Sequence, residues 1–235
     1  MDMRAPILSN VSVDRFIHRV LDTQAGWTSA GEEGLARVAS PTEKARMVTL
    51  LWAERSEAER WGSLVAGHAR TKRLSLPDLL VDVLPRLTEL NRLVGPDWGC
   101  DGLEPEIEPA DLARRLRAEA VAQFARKANH REVVWVLQGV DGLVCLMSKS
   151  RPGVQMLPCW YDSTHAEAHI AGPLADAVAA AVPLAIFREK TLAWLAETGR
   201  LTVPGYCEGN GVVELAPASL AARLTGPAGA HATTA

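Results

Sequence analysis

The sequence predicts an α+β chain: two tandem copies of one small unit, each a mostly antiparallel sheet packed with helices. Three observations carry that reading. Residues 11–117, slid forward by 108 positions, fall on residues 119–225 without a gap. Trp27 then lands on Trp135, Trp52 on Trp160, Phe16 on Phe124 and Pro96 on Pro204. Tryptophan is rare, so two such matches at one offset are hard to obtain by chance. Within each copy, segments of helical period alternate with short β-branched runs, which is the signature of an α+β plan. The punctuation residues also coincide, Gly34 with Gly142 and Asn91 with Gly199. A 108-residue unit is long enough to bury its own core, whereas solenoid repeats run roughly 20–50 residues.

Each unit opens with a helix. Val13, Phe16, Ile17, Val20 and Leu21 keep the stripe of a half-buried helix, and Val121, Phe124, Ala125 and Ala128 repeat it. Next comes a hairpin, Val133 to Leu137 and Leu143 to Met147 around the Asp141-Gly142 turn, with Gly34 as the matching glycine. A third strand ends in Trp52 or Trp160. Ser56 to Glu59 and Thr164 to Glu167 read as capping boxes for a following helix. Ser75 before Leu76-Pro77-Asp78 starts a longer helix, whose partner begins at Pro183. Asn91 and Gly199 suit the left-handed position that ends it. Pro85 predicts a kink in the first copy, and Ala193 a straighter helix in the second. Extended pieces at Arg92 and Arg200 follow. Then come strands at Leu103–Ile107 and Gly211–Leu215, and closing helices with Leu112 and Leu116, or Leu220 and Leu224. The order per unit is α-β-β-β-α-α-β-β-α. The expected organisation is a first unit over 1–116, a second over 117–226 and a flexible tail over 227–235. The Leu116-Arg117-Ala118 join has no Gly or Pro and reads as continuous helix.

Composition narrows the function classes. The hydrophobic fraction of 48% and charged fraction of 23% are those of a globular protein. No run is long and apolar enough for a membrane span, and the start lacks a signal-peptide core, so a cytoplasmic protein without membrane contact is expected. The four cysteines share no paired spacing and none matches across the copies, which speaks against a zinc or disulfide framework. Net charge is −3 overall, divided as −5 up to Asp111 and +2 beyond it. Neither part is basic enough for a nucleic-acid binder.

The second copy carries a Phe-containing opening helix (Phe124), a Val134-Trp135-Val136-Leu137 strand and a Gly142-Leu143 strand start. It continues with Leu157-Pro158-Cys159-Trp160, an Ala-Glu-Ala helix, Val182 to Phe187, and a Trp-Leu-x-x-x-Gly helix end from Trp194 to Gly199. On these motifs, over most of residues 119–224, it resembles the domain-of-unknown-function 2750 family, small bacterial domains of uncharacterised activity. The first copy keeps Trp27 and Trp52 but has Leu50 in place of Pro158. The resemblance implies no catalytic residues.

No phosphate-binding glycine loop, dinucleotide fingerprint or nucleophile elbow occurs, and no cofactor is expected. His165 and His169, four apart, are a weak metal pair if they lie on one helix face beside Asp162. Trp27, Trp52, Trp135 and Trp160 serve either as core anchors or as the walls of a ligand site. Cys159 reads as core rather than as a nucleophile. The acidic stretch is the stronger lead. Asp97, Trp98, Asp101, Glu104, Glu106, Glu108 and Asp111 crowd a turn-rich segment whose counterpart holds only Glu208 and Glu214. A carboxylate-rich surface with an exposed aromatic would steer and dock a basic protein. The expectation is therefore a non-enzymatic bacterial binding protein, most concretely an immunity-type inhibitor of a toxin. The alternatives are an enzyme or small-ligand binder with a site between the repeats, lined by Trp52, Trp160 or the two histidines, and an assembly adaptor.

Overall fold

A computed structural model describes residues 4–32, 34–66, 70–99, 104–148, 150–206 and 213–224. The chain divides into two compact units, Met1–Glu119 and Ala120–Ala235. The tail from residue 225 onward, Asp101 and the 207–212 segment lie outside the described residues.

The first unit starts with a helix over Arg4–Thr23 whose Phe16, Val20 and Leu21 are fully buried, as the periodicity predicts. It ends on Gln24 in the left-handed region (φ 54°). Strands β1 (Ala25–Gly31) and β2 (Gly34–Leu35) form a hairpin, followed by β3 (Arg37–Ala39) and β4 (Met47–Leu51). A helix over Arg55–Ala66 leads to β5 (Arg70–Ser75). The next helix is α over Leu76–Asp78, π over Leu79–Val83 and α again over Leu84–Glu89. Strand β6 (Leu93–Pro96) lies parallel to β4, and β5 pairs antiparallel with β1. Trp27 and Trp52 join the two halves of the sheet, exchanging backbone bonds of 2.7 and 2.8 Å. The strand sequence across the unit is thus β5-β1-β4-β6.

The second unit repeats it. Strands β7 (Val133–Gly139), β8 (Gly142–Leu143), β9 (Leu146–Met147), β10 (Gln155–Trp160), β11 (Val178–Pro183) and β12 (Leu201–Pro204) give the order β11-β7-β10-β12. Trp135 pairs with Trp160 as Trp27 does with Trp52. Left-handed residues coincide too: Gln24 with Glu132, Gly34 with Gly142, Asn91 with Gly199, and Asp97 with Gly205. Each is a place where the chain must reverse or stop a helix, and both copies do so at the same residue.

Several expectations change. Strands β5 and β11 are additional to the predicted order. The Asp-Gly hairpin is real, but only Gly142 and Leu143 pair with β7, and Leu146-Met147 turn instead to β10. Leu103–Ile107 and Gly211–Leu215 are not strands where described. Ile107 and Leu215 each make a single bridge, to Val94 and Thr202. The shared capping boxes are absent: Ser56 lies inside its helix, and Asp162 caps the short Ser163–Glu167 helix by accepting from the Thr164 N–H at 3.0 Å. The capping box that forms joins Ser75 and Asp78. Pro85 does not set the helix shape, because the π turn Phe187–Thr191 sits at the matching place in the second unit, where Ala193 replaces the proline. The join is helical as expected: one helix runs Pro109–Arg131, burying Leu112 and Leu116 in its first part and Val121, Phe124 and Ala128 in its second.

Candidate functional site

The acidic stretch divides, its start turning inward and Glu104, Glu108 and Asp111 facing solvent. Trp98 is 4% exposed, its indole N–H donating to the Pro105 carbonyl at 2.7 Å, so it is not the surface aromatic expected of a docking face. Asp97 is 2% exposed in a left-handed turn, accepting from the Ala53 N–H at 2.8 Å through Oδ1 while Oδ2 has no hydrogen-bond partner. Burial raises its carboxyl pKa above the ordinary value. Glu106 accepts from the Ser40 hydroxyl (2.9 Å) and from Thr42. Glu214 accepts from Ser148 (2.7 Å) and Ser150 in the same way, so this clip belongs to both units and not to an acidic face. Glu108 forms a two-pronged bond with Arg46 at 2.5 and 3.0 Å, which holds its carboxyl below the usual range. Glu104 and Asp111 face solvent. Asp111 pairs with Arg114 at 3.0 Å.

The histidine pair does not converge. The helix ends at Glu167, so His169 lies beyond it, and its Nδ1 contacts the His165 carbonyl oxygen at 2.8 Å. Its ring packs against Trp160 and Tyr206, whereas that of His165 meets Tyr161. Among the described residues, no three His, Cys, Asp or Glu side chains are grouped to hold a metal. Trp52 and Trp160 are buried, and each indole donates to a turn carbonyl, Trp98 at 3.0 Å and Tyr206 at 2.9 Å. They are core anchors. Cys159 is buried at the sheet centre, where burial pushes its thiol up and keeps it protonated.

A site that sequence reasoning missed recurs in both units. In the first, a cavity of about 300 Å³ opens between the β1–β2 hairpin, β5 and the second half of the π-containing helix. Gly34, Leu35 and Arg37 form one wall, Lys72 and Leu74 another, and Asp82, Arg86 and Leu87 a third, with Arg92 at the end. In the second, a cleft of about 590 Å³ is lined by Asp141, Gly142, Leu143, Cys145, Gln155, Trp194 and Arg200. Five positions correspond at the 108-residue offset: Gly34, Leu35, Arg37, Arg86 and Arg92 with Gly142, Leu143, Cys145, Trp194 and Arg200. The arginine alone among the charged groups is common to both. It follows the left-handed residue that closes the helix, and Schellman bonds fix it, Arg92 N–H to Leu87 O at 3.0 Å and Arg200 N–H to Leu195 O at 2.8 Å. In the first unit Arg46 also donates to the Asn91 and Arg92 carbonyls at 3.2 and 3.3 Å.

The environments of the two arginines differ. Arg200 lies over the Trp194 ring at 4.4 Å and donates to Gln155 at 2.8 Å. Burial raises the pKa of the neighbouring Cys145 thiol against the opposing pull of Arg200. Arg92 has Arg37 and Arg86 for neighbours. Burial first, and then those two positive charges, lower its pKa. In the sequence this site left only the coincidences of Gly34-Leu35 with Gly142-Leu143 and of Arg92 with Arg200. The walls come from segments too far apart for any local pattern to group.

Among the described residues no helix is long and apolar enough to cross a membrane. No curated protein matches the chain. Among solved structures, Anabaena Tic22 (protein transport) is 11% identical, with a TM-score of 0.27 over 77% of this chain and 88% of that one. Tic22 from Plasmodium falciparum is also 11% identical, with a TM-score of 0.23 over 88% and 93%. Scores this low do not establish a common fold. A family model matches twice, at residues 13–116 and again at 121–224, the two copies that the internal offset defines. The chain belongs to the family described as protein of unknown function DUF2750, and contains that domain in duplicate.

Proposed function

We propose that the chain is a non-enzymatic binding protein that offers one cleft per unit to what it binds. The observation that carries this reading is the recurrence of the cleft with Arg92 and Arg200 at one position while the residues around them differ. An arginine keeps its proton at any physiological pH. The charged group common to the clefts therefore holds a ligand and does not exchange protons with it. Changed walls around a kept arginine fit two specificities, or two parts of one partner. Affinity capture from the native host with the wild-type chain and with Arg92→Ala/Arg200→Ala tests this. Loss of the captured partners, with an unchanged circular-dichroism melt, supports it. The same partners with both chains sink it.

The narrower form is an immunity-type inhibitor that occludes a basic toxin in the cytoplasm. It rests on the carboxylates of the acidic stretch that still reach solvent, namely Glu104, Glu108 (49% exposed) and Asp111. Changing Glu104 and Asp111 to Lys should then abolish capture of a basic partner, whereas capture that is indifferent to this reversal removes the inhibitor reading.

A further inference from the structure

Four cationic side chains from four segments converge on the first unit's cleft: Arg37 from β3, Lys72 from β5, Arg86 from the helix and Arg92 from its end. Among the described residues one carboxylate, Asp82, shares the lining. No described residue forms an ion pair or side-chain hydrogen bond with the Arg86, Arg92 or Lys72 head groups. Gathering like charges around a partly buried guanidinium is unfavourable unless an anion completes the site. The second unit is an internal control. There Cys145, Trp194 and Ala180 stand in for Arg37, Arg86 and Lys72, and the remaining Arg200 is satisfied by Trp194 and Gln155. The lone arginine finds partners within the fold, and Arg86, Arg92 and Lys72 find none among the described residues. The same cavity has an apolar side, where Leu74 and Leu87 are buried and Leu35 is half-buried.

We propose that this cleft binds a small phosphate-bearing molecule, with Arg37, Lys72, Arg86 and Arg92 on the phosphate oxygens and the leucines against its carbon part. The proposal rests on the reading of the clefts as binding sites and names the ligand class of one of them. Among the described residues the lining holds four cations and one carboxylate. A phosphate monoester brings about −1.5 to −2 at neutral pH, and a carboxylate only −1. The ester therefore neutralises more of the site, and arginine forks match its oxygens. A cavity of about 300 Å³ has room for an organic group beside the phosphate.

The test is a ¹⁵N NMR titration of the intact chain with phenyl phosphate, inorganic phosphate and benzoate. Phenyl phosphate should give saturable shifts at Gly34, Leu35 and Arg92, bind more tightly than either other probe, and weaken as salt rises. Arg92→Ala, and independently the exposed Arg86→Ala, should each weaken it by about tenfold, while Arg188→Ala, at an exposed position outside both clefts, leaves it unchanged. Arg86→Ala keeps the test decisive should Arg92→Ala fail to fold. Inorganic phosphate binding as tightly as the ester removes the carbon-part contact. Benzoate binding as tightly removes the phosphate preference, and the absence of saturable shifts removes the site. If phenyl phosphate fails to bind while Arg92→Ala/Arg200→Ala still loses its captured partners, the ligand class falls and the binding reading stands. In the reverse pattern the phosphate site stands, and what falls is the idea that Arg92 and Arg200 hold the captured partners.

Discussion

Asp97 shows how much one side chain can set against its own fold. It is buried, one oxygen takes the Ala53 N–H, and the other has no hydrogen bond. Its folded pKa is raised, so its contribution to stability is full below the unfolded value of 3.8 and is lost as pH rises through the folded value. Asp97→Asn keeps the acceptor, tolerates the left-handed backbone and removes the charge. It should stabilise the chain at pH 7 by about 1 kcal/mol and by almost nothing at pH 3, as read by urea denaturation at both values. Glu108 has the opposite sign. Arg46 lowers its folded pKa, so its stabilisation is present above the unfolded value of 4.5 and disappears as pH falls through the folded one. Since Glu108 is half-exposed, solvent screening keeps that pair weak. Arg46→Ala should cost about 1–2 kcal/mol, chiefly through the bonds to Asn91 and Arg92 that it also removes. Equilibrium unfolding of this variant with Glu108→Gln as comparison separates the two parts.

At the scale of the element, local chemistry made most of the helices readable. The Phe16 and Phe124 faces, the Ser75 cap and the Asn91 and Gly199 stops each depend on residues within two turns of one another. Strand β5 was not readable, because Arg70-Thr71-Lys72-Arg73 is charged and alternates poorly. It is the edge of its sheet, where charges guard against further pairing. The capping-box reading at Thr164 failed because a better cap, Asp162, stands two residues earlier. Pro85 misled because the π turn is already present without it. Pro85→Ala should accordingly retain that turn, as judged from the NMR hydrogen-bond pattern at Leu84, whose N–H reaches back to Leu79 O. Gly62 is a contrasting case. A Cβ there would come within 1.8 Å of Ser29 Oγ, so helix and strand meet only because the side chain is missing. Gly62→Ala should destabilise by about 1–3 kcal/mol, measured as a fall in the urea midpoint.

On the scale of the whole molecule, the duplication was fully legible and the cleft was not. Repetition leaves a mark at one fixed offset, whereas the cleft takes its walls from the hairpin, β5, the π-containing helix and Arg92, spread over residues 34–92. Each contributes one or two side chains that look like ordinary surface when read alone. In the acidic stretch the complementary limit applies, since spacing does not reveal that Trp98 and Asp97 turn inward. The continuous Pro109–Arg131 helix supplies core residues to both units. Ala118→Pro in its exposed middle should cost about 3 kcal/mol and lower the thermal midpoint. The paired left-handed residues have a further consequence. At Gln24/Glu132, Asn91/Gly199 and Asp97/Gly205 the backbone passes through the same dihedral region in either half. Such points are natural seams for joining one copy to the other, and hybrid chains spliced there would exchange whole cleft walls while inheriting a ready-made bend on each side.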